Sequence, residues 1–101
     1  MKTFFDGIYI KSNEYAEEYP EYPIKLEYYK TIETEENVEA KFGIEIVETQ
    51  FIQGKVYVES KSVEKISNKE TKIEEILTIL RDNVVTPIGV QDVLEDMLVQ
   101  I

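Results

Sequence analysis

The sequence predicts an α+β fold: an antiparallel sheet of three to five strands followed by two C-terminal amphipathic helices packed on one of its faces. Three observations carry that expectation. Apolar and polar residues alternate through the first two thirds of the chain, the period of a half-buried strand. Short polar spacers separate the alternating runs, which favours antiparallel hairpins over crossovers. At Ser67 the period lengthens to that of a helix. A sheet with one apolar face needs a cover, and two striped helices follow it in the chain. If the helices cannot cover all of it, the remaining apolar area is an interface.

Residues 3–10 read as a strand with Phe4, Ile8 and Ile10 on one face, and with Asp6-Gly7 as a bulge or a tight turn. Residues 12–23 (SNEYAEEYPEYP) break the pattern, since two prolines and four glutamates exclude a sheet interior; they read as a loop with a short helical turn. Ile24, Leu26, Tyr28 and Ile32 then alternate with polar neighbours over 24–33, and Lys30 is the one polar break on that face. Thr34 to Asn37 make a polar turn, and Val38, Ala40, Phe42, Ile44 and Ile46 alternate through the clearest strand, 38–48. A turn within Gln50 to Gly54 leads to a strand over 55–60, with Val56 and Val58 on one side, continuing through Val63 to Ile66.

Ser67-Asn68-Lys69-Glu70 fits a capping box, in which the serine oxygen accepts from the backbone three residues on and the glutamate reaches back. Ile73, Ile76, Leu77 and Leu80 form one helical stripe, ended by Asp82-Asn83. Thr86-Pro87 is predicted to open the second helix, with threonine as cap and proline in the first turn. Val90, Val93, Leu94, Met97, Leu98 and Ile101 continue that stripe.

The chain has 101 residues, enough for one modest core, and is read as a single domain, 1–101. It has no Cys, His or Trp, which excludes a disulfide scaffold, a thiolate nucleophile, a Cys/His zinc site and an imidazole base. Its 21 acidic and 11 basic side chains give a formal charge of -10. Residues 1–50 carry 12 acids and 5 bases, and residues 51–101 carry 9 and 6, so the first half is the more acidic. That balance opposes direct binding to phosphate backbones or anionic lipid, and favours solubility, a basic partner or a divalent cation. Thirteen isoleucines against two alanines is also what an AT-rich genome produces. No signal peptide or membrane span is expected, so the expected compartment is the cytoplasm and the expected state a monomer or weak homodimer.

Two clusters are candidate partner contacts. Tyr15, Tyr19 and Tyr22 interleave with Glu17 and Glu18, where tyrosine offers rigid amphipathic area and the acids offer steering. The plainer reading is a surface crossing whose rings pack on the sheet edge. Asp92, Glu95 and Asp96 share one side of the second helix; the plainer reading there is the solvated side of an amphipathic helix. Glu33, Glu35, Glu36 and Glu39 crowd one turn but lack the spacing of a calcium loop. The four glycines are scattered and make no phosphate loop, and no nucleophile motif is present. No catalytic residue, cofactor or metal is expected.

Lys41-Phe42-Gly43-Ile44-Glu45-Ile46, Ile66-Ser67, Val85-Thr86-Pro87 and Asp92-Val93-Leu94-Glu95-Asp96 resemble the motifs of a small bacterial (Firmicute-type) family of unknown function. The resemblance spans residues 24–99 and sets 1–23 apart as an N-terminal addition. It implies a small cytoplasmic bacterial domain and no activity. The expected function is that of a small, acidic, non-catalytic regulatory or adaptor domain acting by protein–protein contact. The alternatives are an acidic nucleic-acid mimic and a homo-oligomeric unit, the last using Phe4, Phe5, Phe51 and Val84-Val85 as its patch.

Overall fold

The structure, a computed structural model, describes residues 1–11, 22–36 and 38–99. Among the described residues four strands precede two helices: β1 (Lys2–Ile10), β2 (Ile24–Glu35), β3 (Val38–Ile52), β4 (Lys55–Ser67), α1 (Glu70–Asp82) and α2 (Val90–Val99). The strands form one antiparallel sheet in the order β1-β2-β3-β4, with α1 against its face, so the α+β architecture follows the alternation. Most of the predicted Tyr/Glu/Pro loop lies outside the described residues, as do the side chains of Leu98 and Ile101.

The core sits between the sheet and the helices. Leu26 and Tyr28 of β2 and Ile44 and Ile46 of β3 meet Ile73, Ile76, Leu77 and Leu80 of α1 and Val90 and Leu94 of α2, all essentially inaccessible to solvent. Each such aliphatic side chain contributes about 1.5–3 kcal/mol through burial. Val93 and Met97 pack on the same cluster, so the predicted stripe of α2 does face the sheet. Tyr28 is buried with its hydroxyl donating to the Val85 carbonyl at 2.9 Å. Burial, and then the nearby Glu48 carboxylate, push its ionisation up to about 12, so it stays a neutral donor.

Lys30, the polar break on the apolar face, is drawn into ion pairs with Glu70 and Glu74 of α1. That pairing explains why the capping box does not form. Glu70 turns to Lys30 instead of reaching back, the helix starts from Lys69 without a side-chain cap, and Ser67 accepts from the Lys69 backbone N–H at 3.1 Å. The second helix also begins later than expected. Thr86 to Gly89 close a separate turn, with the Gly89 N–H donating to the Thr86 carbonyl at 3.1 Å, and α2 starts at Val90.

Three further expectations change. An extra residue bulges between Phe4 and Asp6, reversing the facing of the residues before it; Ile8 and Ile10 pack on the core as read, joined by Phe5, and Phe4 points to the opposite side. Val85 is buried, leaving Val84 as the exposed half of that pair. Strand β3 runs on to Ile52, and the turn shrinks to Gln53-Gly54, both with positive φ, 49° and 78°. That is a two-residue hairpin loop matched to the sheet twist.

A second irregularity lies where β4 approaches Gly43. Phe42 pairs with Ser67 and Ile44 with Val63, so Glu64, Lys65 and Ile66 arch over one residue, with Lys65 at φ 56°. A Cβ on Gly43 would overlap the Val63 carbonyl and approach Glu64 Cα and Thr31 Oγ1 to 2.8 Å. The glycine of the aromatic-Gly-Ile strand is therefore a close-approach residue.

Candidate functional site

Helices cover one side of the sheet, and the candidate site is the side they leave open. Its residues follow from register. Ile44 and Ile46 face the helices opposite Val63 and Lys61, so Glu45, Val47, Thr49 and Phe51 face away, opposite Ser62, Ser60, Val58 and Val56. The alternation of Val56 and Val58 marks a strand, as read from sequence. Because the hairpin turn is two residues long, these valines stand opposite Thr49 and Phe51 on the open side.

The open face has two halves. Near the N-terminus it is charged. Lys2 Nζ meets Glu45 Oε2 at 2.6 Å and lies 4.5 Å above the Tyr29 ring, and Ser62 Oγ donates to Glu45 Oε1 at 2.7 Å. The Lys2 hydrogen bond, with help from Ser62, holds the Glu45 carboxyl below the usual carboxylate range, and Lys2 is raised in return. Phe4 packs edge-on against Tyr29 at 5.7 Å, and the Tyr29 hydroxyl donates to Glu27 at 2.8 Å. Beside them Glu64 is raised by a hydrogen bond shared with Glu33, while Lys65 approaches Glu33 at 3.7 Å.

Toward the Gln53-Gly54 turn the face is apolar. Phe51 and Val56 are cross-strand neighbours, Val58 lies beside Thr49, and the valines are each 61% exposed. From Lys55 to Ser62 every residue of β4 is exposed, on both sides of the sheet. The reason is geometric. Strand β3, with 15 residues, spans about 50 Å. The 13-residue α1 reaches about 20 Å. The long axis of the molecule is 53 Å, so the β3–β4 hairpin projects beyond its cover.

Of the sequence-predicted contact residues, the described ones do not gather on this face. Tyr15, Glu17, Glu18 and Tyr19 lie outside the described residues. Tyr22 is half-buried at the foot of β2. Asp92, Glu95 and Asp96 are exposed on α2, in the helical layer, where Gln91 Nε2 donates to Glu95 at 3.4 Å. In the crowded turn Glu33 faces Lys65, and Glu39 accepts from Asn68 at 3.0 Å. Among the described residues no group of three or more acids is placed to hold a metal ion. No described helix is long and apolar enough to cross a membrane.

The strand-helix order and the Gly43 crossing accompany a match over residues 8–100 to a family of unknown function (DUF6514). The chain belongs to that family. The match takes in residues 8–23, so β1 from Ile8 onward and the connection after it are part of the DUF6514 domain rather than an addition to it. No curated protein and no solved structure matches the chain.

Proposed function

We propose that this DUF6514 domain is a non-catalytic contact module, regulatory or adaptor in role, that works through the open side of its sheet and the adjoining β4 margin. The observation that carries the reading is the apolar half of that side: Phe51, Val56 and Val58 stand together on paired strands, away from the core. Solvent-facing apolar neighbours on a rigid sheet mark a contact surface. The acid excess adds steering toward a basic partner.

Imitation of a nucleic acid draws less support. On the open face Lys2, Lys25 and Lys65 sit against Glu45, Glu27 and Glu33, which interrupts a run of negative charge. A photo-crosslinking side chain at Val56 or Val58, compared in cells with one at the exposed Glu75 of α1, tests the proposal. Adducts of discrete mass from the sheet positions and none from Glu75 are expected. Equal labelling from both faces, or none from either, overturns it.

A further inference from the structure

We propose that β4 pairs antiparallel with β4 of a second copy of this chain, centred on Ser60. This rests on the contact-module reading and names the partner of its β4 margin.

Strand β4 lies at the end of the sheet order, so among the described residues one side of its backbone has no neighbouring strand. Its stretch from Lys55 to Val63 is regular, in unbroken register with β3 from Ile52 to Ile44. Such an edge is a template for another strand. The identity of the incoming strand is argued from charge register.

Two identical strands related by a two-fold axis pair about a residue that faces itself, because opposed residues must point to the same side of the sheet. Within the regular stretch few centres are available. Pairing about Val58 sets Lys55 against Lys61 twice, pairing about Glu59 sets that carboxylate on its own copy, and pairing about Lys61 does the same with the ammonium. Like charges directly opposite destabilise a ladder. Pairing about Tyr57 matches Lys55 with Glu59 but runs into the Gln53-Gly54 turn after a short overlap. Pairing about Ser60 matches Glu59 with Lys61 twice, Val58 with Ser62 and Tyr57 with Val63, all inside the regular stretch and ending where β4 arches over Gly43.

Two observations on the monomer suit this register. Glu59 stands directly opposite Glu48, whose side is almost fully buried at 5% exposure, so the helix face carries a like-charge cross-strand pair. Neither Glu59 nor Lys61 has an ion-pair partner among the described residues. Lys61 of the second copy would flank Glu59 on its open side and supply the missing counter-charge. Tyr57, half-exposed beyond the helices, would lie beside Val63, a partly buried residue at the rim of the core.

Sedimentation equilibrium of the purified chain in about 150 mM salt tests the pairing, with circular dichroism as the folding control. The wild type is expected to dimerise. Glu59→Lys alone and Lys61→Glu alone each oppose two like-charge pairs, and each is expected to weaken dimerisation at least tenfold. An equimolar mixture of the two variants restores complementary charges at both contacts and is expected to form the heterodimer at wild-type strength. A wild type that stays monomeric at all concentrations, or a mixture no tighter than its components, overturns the proposal. In that case discrete adducts to another protein from Val56 or Val58 would leave the contact-module reading standing, whereas loss of all adducts would remove that reading independently of the sedimentation result.

Discussion

At Gly43 a single hydrogen decides the path of the neighbouring strand. The arch of Glu64 to Ile66 passes so close that any side chain there displaces backbone. Gly43→Ala is expected to cost about 2–3 kcal/mol in urea denaturation, the penalty of forcing atoms into filled space. Gly7→Ala, which would meet only the Leu26 carbonyl at 3.4 Å and the edge of Phe4, is expected to stay within about 0.5 kcal/mol of wild type. The sequence marked Gly43 as part of a motif but held no trace of the crossing, because the arch is made by residues twenty positions later. Lys30 is the converse case. Its misfit on an apolar face was plain from alternation, whereas its partners Glu70 and Glu74 became visible only when α1 was laid across the sheet. The carboxyl pair beside the arch gives a pH signature. Glu64 is raised by its hydrogen bond with Glu33, so its contribution to stability is full below the ordinary carboxylate value of about 4.3 and is lost as pH rises through the raised one. Glu64→Gln is therefore expected to melt higher than wild type at pH 7, with the difference closing as the pH falls below about 4.

At the scale of elements, periodicity located the described strands and helices, and the starts of β2, β3 and β4, but missed the starts of both helices and the far end of β3. The interiors were legible because burial repeats: Ile73, Ile76, Leu77 and Leu80 face the sheet as their spacing requires. The starts of the helices were not, because they depend on competing local partners. Lys30 takes the glutamate that the capping box needed, and the Thr86–Gly89 turn takes the residues assigned to the first turn of α2. The facing of Phe4 was lost to one bulged phenylalanine, whereas Ile8 and Ile10 kept the side their alternation gave them. The β3–β4 turn yields a prediction at this scale. Gln53 holds φ 49°, a conformation in which asparagine is favoured before glycine. Gln53→Asn is expected to raise stability by about 0.3–1 kcal/mol, read from the midpoint of a urea transition at unchanged slope.

For the whole molecule the controlling disproportion is a strand layer longer than its helical cover, which separates a sealed half from a half with solvent on both sides. The candidate site lies in the second half. Composition had hinted at a surface function, but the described acids on which that hint rested, Asp92, Glu95 and Asp96, lie on α2 in the helical layer, and the open face is distinguished instead by Phe51, Val56 and Val58. The net charge of -10 still acts on the fold as a whole through self-repulsion. Raising sodium chloride from about 10 mM to about 1 M shortens the screening length from about 30 Å to about 3 Å. The melting temperature is expected to rise over that range. A fall would show that the Lys30 and Arg81 ion pairs outweigh the bulk repulsion.

The bulge at Phe5 also acts on the outer border of β1. A sheet has two borders, and a subunit reactive at both grows into a fibre. Here the β1 border is kinked within a few residues of its start, and Asp6 next to the kink is clamped at 2.9 Å by Arg81. That spoils the straight run of backbone on which a newcomer would zip. If β4 pairs as proposed, a β1 border blocked in this way leaves the subunit monofunctional, and growth is expected to terminate at a pair.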